Sequence, residues 1–131
     1  MNTESKKLLI TAGIFGFLGV VLGAFAAHGL SSVLTKVQLE SFQTGVRYQF
    51  YHTFLLLLIG ISDYFTSEQK KNIRVIIITG ILLFSGSIYV LNLDEYVVGT
   101  NFKAIALLTP LGGLFLIAAW LYITIISLRK H

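Results

Sequence analysis

The sequence predicts an all-α integral membrane protein: a four-helix bundle with little mass outside the bilayer. The first observation is composition, because 55% of the 131 residues are hydrophobic and only 12% are charged. Soluble domains carry about 25% charged residues. The second is a mean hydropathy of +0.80. The third is that the apolar residues fall into four long stretches, each close to the length that crosses a bilayer.

A membrane-spanning helix needs about 20 mostly apolar residues, and in lipid its backbone must satisfy its own hydrogen bonds. The predicted spans, all within a single transmembrane domain 1–131, are 8–27, 46–65, 73–93 and 104–127. The first stretch has an alternative interpretation as a signal peptide, because Lys6 and Lys7 precede it and Ala24-Phe25-Ala26 near its end resembles a signal-peptidase site. Three further spans and the abundant glycine of the first stretch favour a retained helix.

Basic residues in short loops predict the orientation, since cytoplasmic loops are enriched in Lys and Arg. One side of the predicted bundle carries seven: Lys6, Lys7, Lys70, Lys71, Arg74, Arg129 and Lys130. The other side carries three: Lys36, Arg47 and Lys103. This difference predicts that the N- and C-termini are both cytoplasmic and that spans one and two are joined on the outer side.

A short amphipathic helix is predicted between spans one and two. Its apolar residues recur at helical spacing: Leu30, Val33, Leu34 and Val37. Thr35 with Gln38 fits a capping box that would begin the helix of span two, and Thr66 with Gln69 fits one that would begin helix three. Gly45 is the expected bend in helix two.

Small residues are predicted to pack the helices, because they let backbones approach closely in a membrane. The candidates are Gly16, Gly19, Gly23, Gly86, Gly112 and Gly113. The same pattern leaves open a homo-oligomer. Pro110 inside span four removes a backbone donor, and the hydroxyl of Thr109 beside it is a candidate partner for the freed carbonyl. The predicted kink has two interpretations, a shaped helix or a lined cavity.

Polar residues from all four helices are predicted at one depth, within about 10 Å of the outer surface. We call this set the outer polar cluster: His28, Arg47, Tyr48, Gln49, His52, Ser85, Ser87, Tyr89 and Thr109. Polar groups at membrane depth are costly, so they pair or line a site. Two interpretations stay open: a hydrogen-bonded clasp that closes the bundle, or a binding site for a small amphipathic ligand such as a lipid headgroup or a quinone.

The functional hypothesis is a non-enzymatic module in the lipid bilayer that binds a lipid-like or small amphipathic ligand, or a partner membrane protein, through this cluster. The alternatives are an oligomeric small-solute transporter or channel, and a membrane-embedded enzyme or redox helper. No mid-membrane carboxylate of the kind that proton-coupled transport uses is present in the sequence.

Catalytic, metal and nucleic-acid sites have little support in the sequence. It contains no Cys, no HExxH and no phosphate-binding glycine loop. His28 and His52 alone are too few for zinc, which takes three or four protein ligands, and no cofactor is predicted. The net charge of +4 is scattered, which favours anionic lipid headgroups over nucleic acid.

Four motifs resemble a known family. Residues 23–30 (GAFAAHGL), 42–52 (FQTGVRYQFYH), 83–89 (LFSGSIY) and 109–113 (TPLGG) follow its GAFGAHGL, F-x-TGVRYQ-x-YH, LFSGS-x-Y and TP-x-GG blocks in order. The chain departs from the first block at Ala26, which replaces one small residue by another. Trp120 matches a late tryptophan of the family.

The chain therefore resembles the small membrane proteins of the domain of unknown function 423 family, which includes bacterial YgdD-like and YwdK-like proteins and the eukaryotic transmembrane protein 256 type. The resemblance runs from about Leu8 to Leu121. It implies a multi-pass protein of the bacterial plasma membrane with four helices. It implies no established activity. The residues of the outer polar cluster therefore lie in family motifs, but the resemblance assigns them no chemical role.

Overall fold

Four long helices form the protein in a computed structural model, which describes residues 1–93 and 102–129. They are α1 (Thr3–His28), α2 (Lys36–Ile61), α3 (Ser67–Asn92) and α4 (Phe102–Arg129). The predicted all-α class is confirmed. Within these described ranges, three segments are long and apolar enough to cross a membrane: Thr3–Ser32, Ser67–Asn92 and Lys103–Arg129.

Helix α2 is as long as α1 and α3, at 26 residues. At about 1.5 Å per residue this length spans the hydrocarbon core. Helix α2 carries Arg47, Gln49 and His52 near its middle, and it is not among the described helices that are apolar enough to count as candidate spans. The exact limits of all four spans, and the crossing by α2, stay predictions.

Both predicted capping boxes are confirmed. The Thr35 hydroxyl accepts from the Gln38 backbone N–H at 3.2 Å, and the Gln38 side chain accepts from the Thr35 N–H at 2.9 Å. Thr66 and Gln69 repeat the arrangement at the same distances. These reciprocal bonds satisfy two orphan donors at each helix start, which is why α2 and α3 begin where their sequences predict.

The short amphipathic helix expected between spans one and two is not confirmed. A 3-10 turn, Leu30–Ser32, joins α1 to α2 instead. Leu30 is buried among Ala26, Phe42 and Val46, while Val33 is exposed. Leu30 and the partly buried Leu34 therefore anchor a tight connection to the bundle, whereas Val33 does not.

Two apolar cores hold the helices together. The larger includes Leu8, Leu56, Ile73 and Ile77 and continues onto α4. The smaller surrounds Phe42 near the α1–α2 connection. Helix α2 packs between α1 and α3, and α4 packs mainly against α3. The helices therefore pack in the order α1, α2, α3, α4, with α2 and α3 at the centre, and this order positions the polar side chains.

The predicted packing glycines differ in what they contact. A Cβ added at Gly16, Gly19 or Gly23 would lie 2.9–3.6 Å from side chains of α2, so these three bring α1 against α2. A Cβ at Gly112 would overlap the backbone of Leu83 and Phe84. Gly112 is thus the point where α4 and α3 approach most tightly among these positions.

At two other glycines, Gly113 and Gly86, the structure has room for a side chain. A Cβ at Gly113 would make an ordinary 3.7 Å contact with the Phe84 ring, and a Cβ at Gly86 would have nothing within 4 Å. The expectation that Gly86 packs helices within this chain is therefore wrong, because its Cα faces open space.

A buried lysine joins three helices at the end of the bundle that holds the N-terminus. Lys70 is 2% exposed, and its Nζ donates to Ser5 Oγ at 2.7 Å and to the Gly60 carbonyl at 3.5 Å. Gly60 lies in the last turn of α2, where backbone carbonyls lack partners and favour a cation. Lys70 lies in the first turn of α3, which begins at Ser67 as the capping box predicts.

Candidate functional site

The outer polar cluster divides into a buried group and an exposed group. Gln49, His52, Ser85 and Ser87 are buried, and Tyr89 and Thr109 are partly buried beside them. His28, Arg47 and Tyr48 lie on the bundle surface. The structure therefore brings together six of the nine predicted residues in interhelical contacts and leaves three outside.

Gln49 is the centre of the buried group because its amide bonds both neighbouring helices. Its Nε2 donates to the Phe15 carbonyl of α1 at 2.7 Å. Its Oε1 accepts from the Tyr89 hydroxyl of α3, also at 2.7 Å. A Cβ at Gly19 would lie 3.3 Å from that Nε2, so the glycine leaves room for the amide to reach the α1 backbone.

Ser85 ties α3 to α2 one turn from Tyr89. Its hydroxyl donates to the Gly45 carbonyl at 2.7 Å. A Cβ at Gly45 would lie 2.8 Å from the Tyr89 ring. Gly45, expected as a bend, lies within continuous α2, and its missing side chain leaves room for the Tyr89 ring.

His52 bonds within α2 and across to α4. Its Nδ1 lies 2.7 Å from the Tyr48 carbonyl, and its Nε2 lies 3.2 Å from the Trp120 indole nitrogen. The indole N–H is a donor only and a carbonyl is an acceptor only. His52 therefore carries its proton on Nδ1 and accepts at Nε2, which makes it a neutral imidazole with both nitrogens engaged.

Ser87 and Thr109 join α3 to α4. Their hydroxyl oxygens are 2.5 Å apart, and Ser87 also donates to the Phe84 carbonyl at 2.9 Å. Thr109 must then donate its proton to Ser87. The expectation that Thr109 serves the carbonyl freed by Pro110 is replaced by this interhelical bond, and α4 runs through Pro110 as a helix.

The exposed group contributes little to this network. Arg47 donates from Nη2 to Thr44 Oγ1 at 2.9 Å, and among the described residues it has no carboxylate partner. Asp94 and Glu95, whose sequence positions suggest them as partners, lie outside the described residues. The His28 imidazole makes no hydrogen bond within the described part of the chain, so His28 is separate from the buried group.

A cavity of about 320 Å³ opens beside the His52–Trp120 pair. We call it the aromatic cavity, and it is lined by Tyr48, His52, Phe84, Gly113, Leu116, Ile117 and Trp120. The rings are in contact, with Tyr48 and Phe84 centroids 4.9 Å apart and His52 and Trp120 centroids 6.2 Å apart. Its size lies at the lower end of the range for small-molecule sites.

A second, smaller cavity of about 180 Å³ lies on the other side of Gln49 and Tyr89. Gly86 lines it together with apolar side chains of α1 and α3. The open space at Gly86 is therefore part of a cavity and not a helix contact.

Metal coordination has no assembled ligand set in the ranges 1–93 and 102–129, where no three His, Asp or Glu side chains cluster. The two ring nitrogens of His52 are also already bonded. The arrangement holds helices together and shapes an apolar cavity.

Trp120 and the Phe15 carbonyl are the partners that sequence reasoning missed. Trp120 was noted only for its resemblance to a family position. A signal existed, because a tryptophan in an apolar span needs an acceptor for its N–H, and His52 is one of few candidates. Helical spacing alone does not say which face of α4 meets α2.

Comparison with known proteins identifies the family. A family model described as "Protein of unknown function (DUF423)" matches residues 22–113. A "UPF0382 membrane protein" of Haemophilus influenzae is 35% identical over 116 residues, covering 88% of this chain and 89% of the relative. The "UPF0382 inner membrane protein YgdD" of Escherichia coli K12 is 35% identical over 130 residues, covering 95% and 92%.

A "UPF0382 membrane protein" of Staphylococcus haemolyticus is similar at 32% identity over 124 residues, covering 95% of this chain and 97% of the relative. No solved structure matches. The names of these relatives and the three long apolar helices confirm the predicted location in a bacterial membrane. The chain belongs to the DUF423 family of membrane proteins of unknown function.

Proposed function

We propose that the protein is a non-enzymatic membrane module that binds the hydrocarbon part of a lipid-like, amphipathic ligand in the aromatic cavity. The observation that carries the proposal is the cavity of about 320 Å³ between α2, α3 and α4, with four rings among its lining residues. Ligand sites are concave, mostly apolar and equipped with few polar groups. The aromatic cavity has this character.

The polar groups that line the cavity are mostly bonded to each other, which favours a ligand whose buried part is apolar. His52 uses both nitrogens, and the Trp120 N–H is taken by His52. The Tyr48 hydroxyl has no hydrogen-bond partner in the described ranges and its side chain is 41% exposed. A ligand with an apolar chain and one polar group near Tyr48 would complement this surface.

The same contacts favour binding over the alternatives. A general base needs a free nitrogen or carboxylate within reach of its substrate, and His52 has neither of its nitrogens free. A transport path needs polar groups along its whole length. Toward the other end of the bundle the core is formed by Leu8, Leu56 and Ile73.

We also propose that both termini are cytoplasmic, on the basis of the seven-to-three distribution of basic residues. The aromatic cavity then lies near the middle of the bilayer, because its lining runs from Tyr48 in the outer half of span two to Trp120 in the inner half of span four. A ligand would reach it from the membrane through the open side between α2 and α4.

The proposal is tested by native mass spectrometry of protein extracted with its surrounding lipid. Ile117 lines the cavity and is exposed, so Ile117→Trp fills it without disturbing a hydrogen bond. Leu114→Trp is the matched control, because Leu114 is equally exposed on α4 and does not line the cavity. A bound lipid-like mass in the wild type and in Leu114→Trp, lost in Ile117→Trp, is the expected result.

Two outcomes would contradict the proposal. Wild-type protein that carries no adduct under gentle release has no such ligand. An adduct retained equally by Ile117→Trp binds elsewhere on the protein.

A further inference from the structure

A further cavity lies at the opposite end of the bundle, between the start of α3 and the end of α4. It measures about 400 Å³ and is lined by Thr66, Gln69, Tyr122, Ile125, Ile126 and Arg129. The four α4 residues stand at i, i+3, i+4 and i+7, so they form one face of the helix. We call this space the basal cavity, and the outer polar cluster takes no part in it.

The basal cavity changes from apolar to basic along α4. The part of the cavity nearer the bilayer centre is lined by Tyr122, Ile125 and Ile126, which lie within the predicted span 104–127. Arg129 lies two residues beyond the end of that span. Two residues of helix add about 3 Å, which places the guanidinium at the level of the headgroups. An acyl chain with a charged head has the same order of apolar and polar parts.

Arg129 is available for an anion. It forms no salt bridge with any residue in the described ranges, and its side chain is exposed. Guanidinium groups bind phosphate with two parallel hydrogen bonds. Gln69 adds a second donor, because its Oε1 is bound to the Thr66 backbone N–H while its Nε2 has no partner in the part of the chain that the structure describes.

The surrounding charge also favours an anion. Among the described residues, this end of the bundle carries three acidic residues, Glu4, Asp63 and Glu68, and six basic ones, a difference of three: Lys6, Lys7, Lys70, Lys71, Arg74 and Arg129. Glu4 is already paired with Lys7 and Arg74. Lys71 and Arg129, which form no salt bridge with any described residue, therefore set the local potential.

We infer that the basal cavity binds an anionic phospholipid of the membrane, with its phosphate at Arg129 and Gln69 and its acyl chain along Ile125 and Tyr122. The apolar lining selects a lipid over a free phosphate, since a soluble anion would leave that surface unfilled. This site is independent of the aromatic cavity and does not rest on the function proposed above.

The test compares lipids of different charge on the full-length protein. Purified protein in a neutral detergent is mixed with phosphatidylglycerol or phosphatidylcholine, and bound lipid is counted by native mass spectrometry. Wild type is expected to retain one phosphatidylglycerol in preference to phosphatidylcholine. Arg129→Gln is expected to lower that preference about fivefold, the effect of one basic residue at a membrane surface.

Two further variants separate a built site from general surface charge. Ile125→Trp fills the cavity and keeps Arg129, so it should lose the bound lipid as well. Lys36→Gln removes one exposed basic residue at the other end of the bundle and should retain it. Thermal unfolding of each variant shows whether the fold is intact. The comparison needs one folded variant of the cavity, Arg129→Gln or Ile125→Trp, together with Lys36→Gln.

Three results would overturn the inference. If Arg129→Gln keeps the phosphatidylglycerol preference of the wild type, Arg129 does not contribute to the site. Loss in Arg129→Gln with full retention in Ile125→Trp shows surface attraction without the cavity. If glycerol phosphate competes for the site as well as the intact lipid does, the site binds a soluble anion and not a lipid.

Discussion

The indole N–H of Trp120 donates to Nε2 of His52 across 3.2 Å and thereby links α4 to α2. Because the Tyr48 carbonyl accepts from Nδ1, the imidazole is held in one tautomer. The pair also forms a wall of the aromatic cavity. One contact therefore joins two helices, fixes a proton and shapes the candidate binding surface.

Trp120→Phe tests that contact. The ring keeps most of its packing but loses its donor, which leaves the mostly buried His52 Nε2 without a partner. An unsatisfied buried acceptor costs about 1–3 kcal/mol, so the free energy of unfolding in detergent should fall by that amount. Nitrogen-15 NMR of wild type should show the Nδ1–H tautomer of His52.

Tyr122→Phe is the control for Trp120→Phe, because Tyr122 accepts only an exposed bond from Asn72 at 3.3 Å. Its effect should stay within about 0.5 kcal/mol. A Trp120→Phe variant as stable as Tyr122→Phe would show that the His52 bond contributes nothing to stability.

Gly112→Ala tests the close approach of α4 to α3. A Cβ there would overlap the Leu83 and Phe84 backbone, and backbone cannot rotate away as a side chain can. Overpacking costs about 1–3 kcal/mol, so the midpoint of thermal unfolding should drop clearly. The neighbouring Gly113→Ala makes only an ordinary contact of 3.7 Å and should unfold close to wild type. Equal midpoints for the two variants would contradict the close packing.

Glu4 predicts a pH dependence at the base of the bundle. It lies before the predicted span 8–27, and the hydrogen bonds from Lys7 and Arg74 hold its pKa below the ordinary value of 4.5. A carboxyl with a lowered folded-state pKa stabilises the fold fully above about 4.5, and this contribution is lost as the pH falls through the folded value.

Glu4→Gln should remove that dependence. The difference in unfolding midpoint between wild type and Glu4→Gln is expected to be largest at pH 7 and to shrink below pH 4. A difference that is constant between pH 3 and pH 7 would show that the Glu4 charge plays no part.

Single cysteines test the proposed orientation, because the chain has no Cys. Ser32 and Ser67 are both exposed and lie at opposite ends of the bundle, in the α1–α2 connection and at the start of α3. In intact cells an impermeant thiol reagent should label Ser32→Cys and leave Ser67→Cys unlabelled. The reverse pattern would invert the topology.

The local signals in the sequence predicted the helices well. Apolar stretches of membrane length, the capping boxes at Thr35 and Thr66, and the glycines of α1 each depend on residues a few positions apart. The end of α2 was predicted at residue 65 and lies at Ile61, because the backbone leaves the helical conformation at Ser62 before the next capping box.

The sequence by itself determined an apolar chain of four helices, and the common depth of its polar residues stays a prediction. Only the tertiary structure decided that Gln49 reaches Phe15 and Tyr89, that Trp120 meets His52, and that His28 and Arg47 stay outside. The physical reason is that helical periodicity sets the angles between side chains on one helix. The rotation of each helix against its neighbours comes from packing at contacts such as Gly19 and Gly112, between residues far apart in the chain.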